Sequence, residues 1–430
     1  MELKVAELFA GVGGFRVGLN NIKNIDSRGK AIEDGPWEFV WANQYEPAYK
    51  TQDAFDCYIK RFGEEKNSNV DINLVNKEEI PNHSLLVGGF PCQDYSVARS
   101  LSNEQGIQGK KGVLFWEIRD TLIAKNTPFV LLENVDRLLK SPASQRGRDF
   151  AIMLKTLDDL GYIVFWRVIN AADYGFPQKR RRVFIFAAKK ETKYAQNLIK
   201  KSESELEESH IINTKFPCKI KENQIKYVDL NKYIDIVDAS DNYKDGKFFE
   251  SGYLIEGKAV TYQINPIEEK SYPLKKIIDD ARKYNPSDMS KYIVDDSKLE
   301  KWKYLKGGKK IERVSNAGHK YVYSEGSMSF PENMDVPART MLTSEGTLNR
   351  SSHIIYDEDL DKYRILTEVE TELIQMFPAN WTDTMPSRKR YFMMGNALVT
   401  GIISRLEPEL ASIIRSEDEL KSEPRQMTYI

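Results

Sequence analysis

The sequence is poor in cysteine, in histidine and in long apolar runs. Its 430 residues include four histidines and only three cysteines, Cys57, Cys92 and Cys218. Their odd number and wide spacing argue against a disulfide framework and a zinc site. No apolar stretch approaches the length of a membrane span. The N-terminal residues do not form the basic region, apolar segment and cleavage site of a secretory signal. We therefore expect a cytoplasmic protein with no metal and no membrane anchor.

Charge of either sign is not in excess either. The formal net charge is −1, so any nucleic-acid surface has to be a local patch. Hydrophobic residues make up 41% and charged residues 30% of the chain, an ordinary globular composition. A chain of this length is too long for one compact core and predicts two domains.

Short apolar runs alternate with helical patterns over residues 1–190. The pattern predicts strands at 4–10, 38–45, 84–90, 128–135, 163–175 and 182–190. It predicts helices after the first strand and at 47–62, 113–125 and 148–162. Strands that alternate with helices favour βαβ units and a parallel sheet, and therefore an α/β fold.

The pattern changes after residue 190, and we expect residues 191–385 to form a second domain. Basic residues there alternate with aromatic ones in KWKYLKGGKKIER, residues 301–313. The apolar helical segment 395–416 is too hydrophobic to stand alone, which predicts that it packs on the first domain. On this division the first domain comprises residues 1–190 and a returning segment 386–418, and residues 419–430 form a solvated tail.

A glycine-rich turn follows the first predicted strand in ELFAGVGGF. Gly11, Gly13 and Gly14 would let a ligand approach the backbone and the amides of a helix N-terminus. Arg16 stands where the dinucleotide fingerprint has its third glycine. A tight turn alone would also use these glycines, and the missing third glycine argues against a nucleotide-binding oxidoreductase.

Three further motifs border predicted strands. Cys92 follows the strand that ends in GGFP, Glu133 lies at the end of LLENV, and Arg180, Arg181 and Arg182 come immediately before VFIF. Each has a plain alternative: a buried cysteine, the start of a solvated loop, or an exposed charged turn. In one sheet, however, they would converge on the crevice where α/β folds bind ligands. There a thiolate could attack an electron-poor ring that the carboxyl group and the arginines hold.

Together these motifs resemble the cytosine-C5 DNA methyltransferases of bacterial restriction-modification systems. The resemblance covers nearly the whole chain and keeps the family's motif order. Its elements are ELFAGVGGF, GGFPCQDYS, LLENV, DYGFPQKRRRVF, PARTMLTSEGT (337–347), RILTEVETELIQMFPANW (364–381) and RYFMMGNALV (390–399).

The resemblance implies a Rossmann-like methyltransferase fold that uses S-adenosylmethionine and releases S-adenosylhomocysteine. It implies a smaller target-recognition domain of mostly β or irregular structure in residues 191–385. The enzyme would flip a cytosine out of double-stranded DNA and methylate its C5. It would act as a monomer at the nucleoid in the bacterial cytoplasm and protect host DNA from a separate cognate restriction endonuclease.

The resemblance also assigns roles to individual residues. Cys92 would add to C6 of the cytosine, and Glu133 would contact the exocyclic amine and N3. Arg180 and Arg182 would hold the cytosine carbonyl, the catalytic loop or a phosphate, and Gln178 belongs to the same motif. The cofactor-binding residues would be Phe9, Gly11, Gly13, Gly14, Gln44, Tyr45, Asp71, Ile72, Pro91, Leu114 and Asn396.

Two positions depart from the family pattern. Gln44 stands where relatives have the glutamate that binds both ribose hydroxyls, which puts that contact in doubt. Tyr45 would stack on the adenine. Ala98 replaces a serine of the mobile loop, which we expect at 91–112 with Gly106, Gly109 and Gly112 as a lid over the flipped base.

Two alternatives remain open within the same resemblance. A transfer-RNA cytosine methyltransferase would share the catalytic motifs, but the room in residues 191–385 favours a DNA-reading domain. A non-catalytic DNA-binding relative would not need Cys92 and Glu133, which are both present.

Overall fold

The computed structural model describes residues 1–90, 114–314 and 318–417. Pro91, Cys92, Ala98 and the proposed lid glycines lie outside these residues, as do residues 418–430. Over the described ranges, none of the helices has both the length and the apolar character needed to span a membrane. The same ranges contain no group of three or more residues suited to hold a metal ion.

Fourteen strands are present in the described part of the chain. They are β1 (Lys4–Leu8), β2 (Glu38–Asn43), β3 (Asn67–Ser68), β4 (Leu85–Gly89), β5 (Phe129–Val135), β6 (Tyr162–Asn170), β7 (Arg181–Lys189), β8 (Cys218–Asp229), β9 (Ser251–Ile255), β10 (Lys258–Pro266), β11 (Lys309–Val314), β12 (Lys320–Glu325), β13 (Ile354–Asp357) and β14 (Lys362–Ile365).

The α-helices of the same ranges lie between these strands and after them. They are α1 (Gly14–Leu19), α2 (Asp53–Phe62), α3 (Leu114–Lys125), α4 (Arg148–Asp159), α5 (Lys193–Ile199), α6 (Glu203–Ser209), α7 (Ile211–Lys215), α8 (Ile236–Asn242), α9 (Leu274–Ala281), α10 (Asp296–Lys306), α11 (Glu368–Ile374), α12 (Ser387–Asn396) and α13 (Thr400–Arg415). The predicted helix 47–62 begins only at Asp53.

Ten strands form one sheet in the order β3-β2-β1-β4-β5-β7-β6-β9-β10-β8. The first five strands are mutually parallel. The carboxyl ends of β1, β4 and β5 therefore meet at one edge. This part confirms the predicted α/β fold.

The sheet is mixed where the sequence predicts parallel strands, because β7 runs antiparallel to both β5 and β6. The predicted strand 163–175 ends at Asn170, and a 3₁₀ turn at Ala171–Tyr174 follows it. The connection to β7 is therefore short, whereas a parallel crossover requires a dozen or more residues. As a result, β7 begins at the edge where β5 ends.

The sheet continues beyond β6 into residues that the sequence assigned to the second domain. Strand β9 pairs with β6, and β10 and β8 follow, all antiparallel. The domain division at residue 190 stays a prediction. The pairs β11–β12 and β13–β14 form two separate two-stranded sheets.

Both faces of the parallel strands are buried, so these strands read as nearly continuous apolar runs. Val5, Leu85 and Leu131 face a core that includes Ile402 and Leu406 of α13. Neighbouring residues on the same strands face the other core, which includes residues of α3 and α4. The alternation follows the two-residue period of a strand.

Helix α13 packs directly on α1. A Cβ built at Gly18 would lie 2.5 Å from Cβ of Ile403 and 2.8 Å from the Thr400 carbonyl oxygen. Only glycine fits this crossing. The predicted return of segment 395–416 to the first domain is therefore seen as the contact between α1 and α13.

Candidate active site

The centre of the site is an ion pair between two neighbouring strands. Glu133 of β5 and Arg182 of β7 lie near the same edge, where Val135 is the register partner of Arg182. Arg182 Nε lies 2.9 Å from Glu133 Oε1. The antiparallel direction of β7 brings its first residues beside the last residues of β5. The two sequence motifs thus meet through strand pairing.

Glu133 is only 9% exposed. Burial raises the pKa of its carboxyl group, although the nearby guanidinium groups of Arg182 and Arg180 oppose that shift. Desolvation disfavours the charged form, so the carboxyl group keeps its proton to a higher pH than an exposed glutamate does. Such a group can donate a hydrogen bond to a basic ring nitrogen.

Gly89 provides the space beside this carboxyl group. Gly89 of β4 is the register partner of Glu133, and a Cβ built there would lie 3.2 Å from Glu133 Oε2. Asn134 Nδ2 donates to the Phe90 carbonyl oxygen at 2.8 Å. These contacts fix the end of β4. Cys92 follows in the sequence, outside the described residues.

Arg180 is buried and holds two distant segments together. Its Nη1 donates to the Met341 carbonyl oxygen at 3.1 Å, and its Nη2 donates to those of Gly395 at 3.0 Å and Asn396 at 3.2 Å. Burial and the charge of Arg182 lower the pKa of Arg180 to about 9, which leaves it charged at neutral pH. Its contacts within the described ranges are those of a positioning residue, and its predicted role toward cytosine stays a prediction.

Gln178 joins the same arrangement through its backbone. It forms a parallel bridge with Ala338, and Lys179 N donates to the Ala338 carbonyl oxygen at 2.7 Å. The motif at 337–347 is thereby attached to the segment before β7. The Gln178 side chain is buried, and neither of its polar atoms has a hydrogen-bond partner in the described part of the chain.

The glycine-rich turn lies at the end of β1. Phe9, Gly11 and Gly13 have positive φ values of 56°, 55° and 86°, a region that glycine adopts without steric cost. Nothing lies within 4 Å of a Cβ built at Gly11. The backbone is therefore open to a ligand at this point.

Gln44 is bound to this turn from the end of β2. Its Oε1 accepts a hydrogen bond from Gly11 N at 2.8 Å. Because an N–H can only donate, the amide oxygen faces Gly11 and the amide NH₂ group is the part left for other contacts. Tyr45, the next residue, is 38% exposed.

The other predicted cofactor residues lie on separate segments. Asp71 begins a 3₁₀ turn and accepts from Asn73 N at 3.1 Å, and Ile72 beside it is buried. Leu114 begins α3 and packs, partly buried, against the core beneath the sheet. Asn396 is exposed at the end of α12, and Pro91 lies outside the described residues.

The returning segment supports the glycine-rich turn from outside. Trp381 Nε1 donates to the Val12 carbonyl oxygen at 2.8 Å. A Cβ built at Gly14 would lie 3.2 Å from Cγ of Leu398. Residues nearly 400 positions apart thus complete one site.

Sequence reasoning missed Glu7, which lies in β1 below the glycine-rich turn. It is fully buried, and the Tyr58 hydroxyl donates to its Oε2 at 2.9 Å. Burial raises the pKa of Glu7 to about 8. The ring of Tyr58 in turn lies against Gly13. The available signal was a single carboxylate inside an apolar strand.

Comparisons with known proteins identify relatives of this chain. The family model described as C-5 cytosine-specific DNA methylase matches residues 3–411. The chain is 48% identical over 418 residues to the Type II methyltransferase M.Sau3AI of Staphylococcus aureus, covering 96% of each protein. It is 35% identical to the Type II methyltransferase M.NgoBI of Neisseria gonorrhoeae over 42% of this chain and 49% of the relative.

A solved structure has the same fold. The crystal structure of the S. pombe Dnmt2 methyltransferase matches with a TM-score of 0.56 and 16% sequence identity, covering 96% of this chain and all of that chain. At this identity the likeness concerns the fold alone.

Replacing Glu7 with glutamine should change how stability depends on pH. The folded wild type keeps a proton on Glu7 up to about pH 8, whereas the unfolded chain releases it above about 4.5. Wild-type stability therefore falls across this window as pH rises, and glutamine avoids the loss. The free energy of unfolding of Glu7→Gln minus that of wild type should grow by up to about 1.4 kcal/mol per pH unit.

Denaturant unfolding between pH 5 and pH 8 measures this difference. Glu64→Gln, at an exposed position, is the matched control and should show a flat difference. A difference for Glu7→Gln that does not change with pH would contradict the assignment of a protonated Glu7.

Proposed function

The chain belongs to the C-5 cytosine-specific DNA methylase family and is a DNA cytosine-5 methyltransferase, and from this premise we propose that it modifies one short duplex sequence within a Type II restriction-modification system. The observation that carries the proposal is the buried Glu133 carboxyl group held by Arg182, at the edge where β4 ends before Cys92. An acid, a fixed guanidinium and a thiol are the groups that this chemistry requires.

The biological setting follows from the relatives. The 48% identical protein carries the name of a Type II methyltransferase. This name supports a role in protecting host DNA against a cognate restriction endonuclease that acts separately. The enzyme would work as a monomer at the nucleoid in the bacterial cytoplasm.

Access to the base requires that the cytosine leave the duplex. C5 lies inside the base stack, and flipping the nucleotide into a pocket costs a few kcal/mol. Glu133 and Arg182 would then contact the flipped base at the edge of the sheet.

Glu133 acts as the acid in this proposal. Its raised pKa keeps the carboxyl group protonated to a higher pH than that of an exposed glutamate. In that form its hydroxyl would donate to N3 of the cytosine, and its carbonyl oxygen would accept from the exocyclic amine. A hydrogen bond to N3 draws electrons from the ring and makes C6 more electrophilic. Arg182 fixes the orientation of the carboxyl group through its contact with Oε1.

Cys92 supplies the nucleophile. Its thiolate adds to C6, and the electron pair of the C5–C6 double bond becomes available at C5 for methylation. Removal of the C5 proton then restores the double bond and expels the thiolate. The enzyme is regenerated, and the product is 5-methylcytosine.

S-adenosylmethionine, when bound, supplies the electrophilic methyl group on its sulfonium. The open backbone at Gly11 fits such a ligand, since a Cβ there would occupy empty space at the turn. Asp71 would bind the adenine amine, and Ile72 and Tyr45 would contact its ring. Gln44 would hold the ribose. The backbone amides at the start of α1, after Gly13, would face the carboxylate of the cofactor.

Residues 191–385 would read the DNA sequence. Within them, basic and aromatic side chains gather at 301–323, a pattern suited to phosphate and groove contacts. The identity of the target sequence is then a property of this region.

Transfer of labelled methyl groups tests the proposed function. We expect label from S-adenosylmethionine in plasmid DNA and none in bulk transfer RNA, with bisulfite sequencing showing protected cytosines in one short motif. Cys92→Ser should abolish transfer, because a hydroxyl is a far weaker nucleophile than a thiolate.

Cys218→Ser is the matched control, since this half-buried cysteine lies at the start of β8, and it should keep activity. Label in RNA alone would contradict the DNA substrate. Normal methylation by Cys92→Ser would contradict its role as the nucleophile.

Gln44→Glu should strengthen cofactor binding. In the wild type the amide oxygen is used by Gly11 N, so only an NH₂ donor remains for the ribose. A carboxylate keeps the Gly11 contact with one oxygen and offers a second, charged acceptor to a ribose hydroxyl. We expect the Kd for S-adenosylhomocysteine to fall about tenfold in isothermal titration calorimetry, equivalent to about 1.4 kcal/mol.

Gln224→Glu adds the same charge on β8, which is the last strand in the sheet order, whereas Gln44 follows β2 near the first. It should leave the Kd unchanged. Unchanged or weaker binding by Gln44→Glu would contradict the position of Gln44 at the ribose.

A further inference from the structure

The hairpin formed by β11 and β12 lies apart from the main sheet and is exposed on both faces. Of its twelve paired residues, only Lys309, Tyr323 and Glu325 are half-buried, and the others are exposed. An isolated two-stranded hairpin is marginally stable in water. A surface of this kind is suited to a partner that covers it.

Arg313 lies on one face of this hairpin and stacks on the ring of Tyr323. Its guanidinium carbon lies 3.9 Å from the centroid of the Tyr323 ring. Register pairs place Arg313 opposite Tyr321 and Ile311 opposite Tyr323, so the arginine and the tyrosine lie diagonally on the same face. Stacking on a ring orients the planar guanidinium and reduces the entropy lost on binding.

The ring beneath Arg313 is itself held in place. The Tyr323 hydroxyl donates to Glu325, and Arg350 Nη1 donates to Glu325 Oε2 at 3.0 Å. Lys309 Nζ also lies 3.5 Å from Glu325 Oε2. A connected set of charged contacts thus fixes Tyr323 from the base of the hairpin.

The guanidinium of Arg313 is exposed, and no hydrogen bond or ion pair to it occurs among the described residues. The neighbouring arginines behave differently, because Arg339 pairs with Glu332 and Arg350 with Glu325. An oriented arginine whose five N–H donors remain available is suited to a planar acceptor pair.

The charge of this region fits a polyanion. Residues 296–325 contain seven lysines and one arginine against four acidic residues, although the whole chain is close to neutral. A two-stranded ribbon fits the major groove of B-DNA, where guanine presents O6 and N7 as a pair of acceptors. Lysines around the ribbon would meet phosphates as point charges.

We propose that the β11–β12 hairpin enters the major groove and that Arg313 recognises one guanine of the target by paired hydrogen bonds to O6 and N7. This inference rests on the proposed function, since it requires a DNA substrate. Arg313 determines specificity and takes no part in the methyl transfer itself.

The test compares the target preference of variants. The target of the wild type is first mapped by methylating a randomised duplex library. Arg313→Ala should lower methylation of the best site by about tenfold to a hundredfold and lose selection at one guanine position. Arg313→Lys should not restore selection, because an ammonium lacks the paired geometry.

Two further variants examine the stacking. Tyr323→Phe keeps the ring and loses only the hydroxyl contact with Glu325, so most of the selection at that guanine should remain. Tyr323→Leu removes the ring and should weaken selection more strongly. Arg28→Ala is the matched control, because Arg28 is an exposed arginine outside the hairpin that pairs with Asp26. It should leave both rate and selection unchanged.

Each outcome has a separate meaning. If the wild type methylates a defined motif and Arg313→Ala keeps every position of it, the inference is overturned. A loss of rate that is equal for all sequences would also overturn it and assign Arg313 to a phosphate. Absence of DNA methylation by the wild type would instead overturn the proposed function, and with it this inference.

Discussion

The direction of β7 determines where the candidate active site forms. Because β7 runs antiparallel between β5 and β6, its first residues lie at the edge where β1, β4 and β5 end. Arg182 therefore reaches Glu133 through sheet pairing, with both side chains largely desolvated. Had β7 run parallel to β5, the arginine motif would have begun beside the amino-terminal ends of these strands, away from Glu133. The fixed orientation of Glu133 depends on this arrangement. Burial raises the pKa of its carboxyl group, and the charge of Arg182 opposes that shift.

The returning segment completes the site from the other end of the chain. Trp381 binds the backbone of the glycine-rich turn, Leu398 packs on Gly14, and Arg180 holds the carbonyls at the end of α12. Helix α13 anchors this segment on α1 across Gly18. The site is thus assembled from both ends of the sequence, and it is stabilised by the same core that packs α13 against the sheet.

Much of this was predictable from local patterns. Buried parallel strands read as apolar runs, and the turn at Gly11 and Gly13 requires residues that accept positive φ. The position of Glu133 followed from its place at the end of LLENV. These predictions depend on residues close together in the chain, where sequence and local geometry are directly related.

Other features depend on contacts that sequence spacing does not reveal. The predicted strand 163–175 extended over the short connection that decides the direction of β7. Strands β8 to β10 continue the main sheet although the sequence assigns them to the second domain. The sequence predicts an exposed turn at Arg180. In the structure its side chain is buried and donates to carbonyl oxygens more than 150 residues away. The role of Glu7 follows only from its burial in the folded structure, which raises the pKa of its carboxyl group.

The most direct test of the account is to trap the covalent step on the enzyme. Duplex DNA carrying 5-fluorocytosine cannot lose the C5 substituent as a proton, so the thiol cannot be expelled after methylation. With S-adenosylmethionine present, the account predicts a denaturation-resistant adduct that mass spectrometry locates on Cys92. An enzyme that methylates ordinary DNA yet forms no adduct, or forms it on Cys57 or Cys218, would contradict the account.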